Sequence, residues 1–397
     1  MKIGVKTGLW VWLFFFISGG PACSLSHGGS TQVMPASVEP GLEYLLELCD
    51  PETSEQDLDL EKAGVVVDFL RGIPDLADYG PMRREDVNGA FIAFTVNRSL
   101  KDILRYAYNQ RIPQGAVNPS SINYAYWKEV QGRDDTLPDL WKLADAMSEP
   151  LIFRGVSHES ITPDLHTGAY YNYDLKRAFL LFRKGPLRVF VSLSDQIGDS
   201  EIGKKGYIVG DDEDWNYIYT QEQGIDVMGL GWVKSRIYRF FSMSILIEGA
   251  DDPGAVKVGV FQWLSAGWAG LNMVNSGHIR NGLERYATQF KGLLESSDLP
   301  PPETLERVTS SLSDADEHLL RKGALEVARY IRLKAEVDPS LSSDDLAEKL
   351  EDRAYIDEMN RHQLLNMLVK EYIKLRIGKE TPLSRSFWQS IRNPSAS

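Results

Sequence analysis

Strict alternation of apolar residues between about residues 177 and 260 constrains this chain more than any other feature. Leu187, Val189, Val191 and Leu193 recur at every second position, as do Val256, Val258 and Val260. A period of two places such residues on one face of a strand. Ile237, Phe241, Met243, Ile245 and Ile247 likewise share a side of the run 237–248, interrupted only by Arg239. The runs 177–183 and 187–193 flank Lys184, Gly185 and Pro186, which predicts a hairpin. The segments 206–209 and 215–220 continue the pattern. Connections this short leave no room for helical crossovers, so the sheet is expected to be mostly antiparallel.

The flanks carry a different period. Leu42–Leu48 and Leu58–Leu70 predict helices, the second stopped by Gly72 and Pro74. Phe91–Val96 reads as a strand, followed by a helix through Leu100, Ile103, Leu104 and Ala107. Pro113, Pro119 and Pro138 break the segment 109–140, which reads as irregular, and Leu140–Met147 returns to helix. After Trp263 the spacing is helical again, with Ile279, Leu283, Tyr286, Phe290 and Leu294 on one stripe. Ser313 with Asp316, and Ser342 with Asp345, resemble capping boxes with Asp in place of Glu. Leu365, Leu368, Val369 and Tyr372 form a last stripe. The expected fold class is α+β, with a central, mostly antiparallel β-rich region flanked by helical N- and C-terminal segments. Residues 39–150 are expected to be mainly helical, 151–263 β-rich and 264–397 helical, with 151–300 forming one compact unit.

Residues 1–22 have the three parts of an export signal. Lys2 and Lys6 give a positive start, Leu9–Ile17 an apolar run, and Gly19, Gly20, Pro21 and Ala22 a small-residue end. The run is too short to span a bilayer, which takes roughly 20 apolar residues. Cys23 follows directly, and the junction resembles the lipobox of bacterial lipoproteins, in which the cysteine is acylated. Ala22 fits that pattern; Gly20 and Pro21 depart from it. Ordinary cleavage near Ala22 or Ser24 is the alternative. Residues 23–38, rich in Ser, Gly and Pro, read as a flexible tether. If Cys23 is retained unmodified, it could pair with Cys49, the one other cysteine.

Charge narrows the partners. The signal holds two of the 43 basic residues and none of the 56 acids, so the remainder stands at −15. A body this acidic repels nucleic acid and anionic surfaces. The segment Gly198–Lys205 nearly spells a phosphate-binding loop. However, Lys205 stands where a Ser or Thr should hold magnesium, Asp199 and Glu201 would face phosphate, and the continuation reads as a strand. A charged hairpin loop is expected there, and nucleotide is excluded as a partner. Asp212, Asp214 and Asn216 open like a calcium loop, but Tyr217 replaces its glycine and Gln223 its last glutamate. An acidic turn is expected.

Three sets of candidate residues remain. His158, Asp164 and His166, with Glu159 among them, could ligate a metal from a loop, although Thr162 breaks the helical zinc pattern. Trp215, Trp232 and Trp268 stand in an aromatic-dense stretch that could contact a saccharide, peptide or protein ligand; the competing reading makes them core. Cys23 is the candidate lipid attachment point. No nucleophile elbow is present, since Glu159 stands where the motif at Ser157 needs glycine. No cofactor is expected. The first expectation is an exported cell-envelope protein, periplasmic or tethered to the outer face of a bacterial membrane, acting as a binding or interaction module. An exported hydrolase of envelope polymers or peptides, and a structural component of an envelope assembly, are the alternatives.

Overall fold

The computed structural model describes residues 32–50, 58–77, 79–81, 84, 87–130, 134–164, 168–227, 231–341 and 354–392. The export signal, Cys23, most of the tether, His166 and the Ser342–Asp345 pair lie outside these residues. The N-terminal part comprises β1 (Gln32–Val33), α1 (Glu39–Glu47), α2 (Leu60–Gly72), β2 (Tyr79–Gly80), β3 (Asn88–Val96), α3 (Leu100–Ala107), α4 (Gln114–Val117), β4 (Ile122–Val130) and α5 (Leu140–Ala146). The central strands are β5 (Leu151–Ile161), β6 (Gly168–Tyr170), β7 (Asn172–Lys184), β8 (Leu187–Gln196), β9 (Lys204–Ile208), β10 (Tyr217–Gln223), β11 (Ile225–Val227), β12 (Gly231–Val233), β13 (Arg236–Glu248), β14 (Val256–Trp268) and β15 (Leu271–Asn272). Helices follow: α6 (Ser276–Glu295), α7 (Pro302–Ser313), α8 (Glu317–Ala335), α9 (Ala354–Glu358), α10 (Arg361–Arg376) and α11 (Arg385–Arg392).

One large sheet organises the molecule. Its strands run in the order β15, β14, β13, β8, β7, β5, β4, with β3 also paired to β14. Every pairing in it is antiparallel. The chain is thus α+β, a large antiparallel sheet flanked by N- and C-terminal helices. A smaller sheet, β10–β9–β6, stands apart from it.

Alternation decides which layer each residue joins. Val189, Val191, Leu193, Met243, Ile245, Phe261 and Trp263 pack with Val66, Val67 and Leu70 of α2. The intervening Phe190, Leu246, Val258 and Val260 face the opposite way, into a core shared with α3, α6 and the later helices. Burying each such side chain on both faces contributes about 1.5–3 kcal/mol, which is why these central runs are apolar nearly throughout.

Several local expectations change. The segment 109–140 holds β4, a nine-residue edge strand, and not only irregular chain. Its polar and half-buried residues hide the alternation, because an edge strand is covered less fully than a central one. With β3, it makes the N-terminal part a contributor to the sheet and not only a helical flank. β14 continues past Trp263 to Trp268, so α6 starts later than the spacing suggests. Ser313 closes α7, and Asp316 itself caps α8 by accepting from His318 N. The segment 197–203 is no hairpin loop: it links β8 of the large sheet to β9 of the small one.

Candidate functional site

A sizeable opening lies beside β4. A cleft of about 870 Å³ is bounded by residues 107–114 at the end of α3 and start of α4, by residues 125–128 of β4, by α7 and by the first turns of α10. Tyr108, Tyr126, Trp127 and Phe179 give it an aromatic wall. Trp127 and Phe179 meet edge to face with ring centroids 5.2 Å apart, and Tyr108 meets Phe179 similarly at 5.3 Å. Arg111, Lys128 and His362 supply basic groups, and Asp135 and Glu306 acidic ones. A pocket of this size and mixed character is typical of sites that enclose a small ligand.

Capping fixes one side of the mouth. Asn360 accepts from Gln363 N at 3.0 Å while Gln363 Oε1 accepts from Asn360 N at 2.8 Å, a reciprocal capping box that starts α10. His362, in that first turn, then lies flat on Tyr126, with centroids 4.5 Å apart and planes within 10°. His158 is a second ring neighbour of Tyr126, tilted and 5.2 Å away. Protein packed around the His362 ring lowers its pKa, helped by the charge of His158 and opposed by Asp135.

His158 sits in β5, not in a loop, and register explains its partners. It lies opposite Tyr126 of β4 and Asp174 of β7. Its Nδ1 is 2.9 Å from Asp174 Oδ1, and its Nε2 makes a long 3.4 Å contact with Tyr124 O–H. Lys128 Nζ donates to the other Asp174 oxygen at 2.6 Å. Burial alone would raise the Asp174 pKa, but the hydrogen bonds from Lys128 and His158 outweigh it and hold the carboxyl below its usual range. The contact between His158 Nδ1 and Asp174 fixes the orientation of the ring. Burial, with Tyr126 and Glu201 adding to it, pushes Tyr124 up to about 12, so it stays a neutral phenol.

The residues expected from sequence are scattered. Glu159 points away from His158, as strand alternation requires, and is buried against Tyr173 (3.1 Å) and Arg177 (3.4 Å). Asp164 is exposed in the bend after β5. Among the described residues, no three His, Cys, Asp or Glu side chains gather to hold a metal, and His166 lies outside them. Trp215 fills the core, with its Nε1 donating to Gln289 at 2.9 Å. Trp268 is half-buried where β14 turns into β15, next to Ala269 at φ 54°. The backbone of Trp232 runs in β12, and its side chain lies outside what is described. Asp212 is taken by Arg285, which donates to both its oxygens at 2.6 Å, so the calcium-like segment is an acidic turn. Lys205, in the near match to a phosphate loop, is buried on β9 and paired with Glu222.

Tyr126, Lys128, Asp174, Arg111 and His362 were not anticipated. The run Tyr124, Ala125, Tyr126, Trp127, Lys128 is a legible aromatic signal, but the prolines around it mask the strand. Asn360 and Gln363 are a readable capping signal. Comparison with known proteins gives no matching family model and no matching curated protein.

Proposed function

We propose that the chain is an exported binding module of the cell envelope that holds its ligand in the cleft beside β4. One observation carries the binding part of this reading: an opening of about 870 Å³ joins an aromatic wall to basic and acidic groups at its rim. Such a site gains affinity by covering apolar surface and orientation from a few polar contacts. The export part rests on the sequence, with Cys23 as the lipid attachment point and the stretch between it and β1 as the tether; residues 32–38, expected to belong to the tether, instead join the folded body, with β1 paired to β2 and Met34 and Val38 buried. Mass spectrometry of the mature N-terminus tests it: an acylated Cys23 is expected, and an unmodified start would remove the anchor. The binding part is tested by thermal-shift screening with peptides, oligosaccharides and small amphiphiles. A ligand that raises the melting temperature should lose its effect in Ser310→Trp, which fills the mouth from the exposed face of α7.

An exported hydrolase is the second reading, favoured by one feature: Asp174 orients His158 as a base would be oriented. Fluorogenic peptides, esters and glycosides separate the two. Binding alone predicts background turnover in both the native protein and His158→Ala. Turnover that disappears in His158→Ala would replace the binding reading with the enzymatic one.

A further inference from the structure

We infer that the ligand of the cleft is a peptide in extended conformation, hydrogen-bonded along the open edge of β4. This deepens the binding reading above and rests on it. The cleft touches four consecutive residues of one strand, Ala125, Tyr126, Trp127 and Lys128. Side chains on a strand alternate between faces. A cavity on one face would therefore touch every second residue. One that touches four in a row lies against the edge, where the strand's N–H and C=O groups point.

That edge is open. β4 ends the sheet, with β5 on its inner side and no described strand on its outer side. Among the described residues, bonds from elsewhere reach the β4 backbone at its ends: Ile122 N donates to Asn118 O, Asn366 donates to Asn123 O, and Val130 N donates to Asp134 O. Between them, residues 124–129 offer about 20 Å of edge at the rise of an extended strand. A peptide backbone carries the matching alternation of donors and acceptors. A saccharide or an aromatic small molecule does not.

The surroundings select a single strand over a second copy of this chain. Exposed edges are commonly blunted by a lysine or a bulge, and β4 has both, with Lys128 at the register shift between Trp127 and Glu129. α7 and α10 wall the far side of the cleft, so a narrow segment fits and another sheet does not. Alternate side chains of that segment would meet the Trp127–Phe179 wall, and those between them the Tyr126–His362 stack and Lys128.

The test uses a phage-displayed library of random seven-residue peptides selected on the full protein. Synthetic copies of the selected peptides are then N-methylated at one backbone position at a time. Losses of about tenfold or more are expected at alternate positions, with little change between them, because each methyl removes a donor facing β4 and adds bulk there. Ser310→Trp should abolish peptide binding without lowering the melting temperature. The inference is overturned if no peptide is selected, if N-methylation is harmless at every position, or if Ser310→Trp leaves binding intact. If oligosaccharides or amphiphiles bind in a Ser310→Trp-sensitive way and peptides do not, the binding reading stands and only the peptide falls. If nothing binds in that way, both fall.

Discussion

Asp174 links Lys128 of the edge strand to His158 of its neighbour, and its ionisation state controls both contacts. Its pKa is depressed in the folded chain. A depressed carboxylate stabilises the fold above its unfolded pKa, near 4, and that contribution is lost as pH falls through the folded value. Urea midpoints should therefore fall further between pH 5 and pH 3 for the native protein than for Asp174→Asn; parallel losses would show that the pair contributes nothing. Cys49 gives a second residue-scale prediction. Burial, with the charge of Asp195 behind it, pushes its thiol up to about 12. At pH 8 Cys49 should resist iodoacetamide in the native protein and react fully in guanidinium, as read by mass mapping; rapid native labelling would contradict its burial. Neither effect is legible in sequence, since both depend on groups far apart along the chain.

At the scale of elements, β4 depends on how closely it crosses β5. A Cβ at Gly155 would overlap the backbone carbonyl of Glu129, which has no rotamer to escape into. Gly155→Ala should cost about 2–4 kcal/mol and weaken ligand binding with it. Gly259→Ala, whose Cβ would press on the terminal methyls of Leu70 and not on backbone, should cost about 1 kcal/mol. Equal costs by urea denaturation would argue against the backbone clash. The turn at Asp212 offers another case. Removing its carboxylate leaves Arg285 partly buried and uncompensated, so Asp212→Ala should lose on the order of 2–3 kcal/mol. Calcium should not move the melting temperature of the native protein, whereas a calcium-dependent rise would mean that the ion displaces Arg285. The central strands were legible because both their faces are buried and their apolar period is clean. β4 was not, because an edge strand beside a cleft keeps polar residues, and the flanking prolines mimic a loop.

Over the whole molecule, the sheet acts as a frame with α1 and α2 on one face and the remaining described helices on the other. That division was foreshadowed by the alternation of the sequence, but the cleft was not. Arg111, residues 125–128, Asp174 and His362 come from four separate stretches, and only folding brings them together. The sequence candidates failed to assemble for the same reason: residues close in number, such as His158 and Glu159, are sent to opposite faces by the strand that carries them. If, as proposed, an extended peptide binds along the edge of β4, its footprint falls on that strand and not on the far edge of the sheet. Hydrogen–deuterium exchange with and without a selected peptide tests it most directly. Slowed exchange is expected at residues 124–129 and in the first turn of α10, with β14 and β15 unchanged. Protection that falls elsewhere, with residues 124–129 exchanging as fast as before, would contradict it.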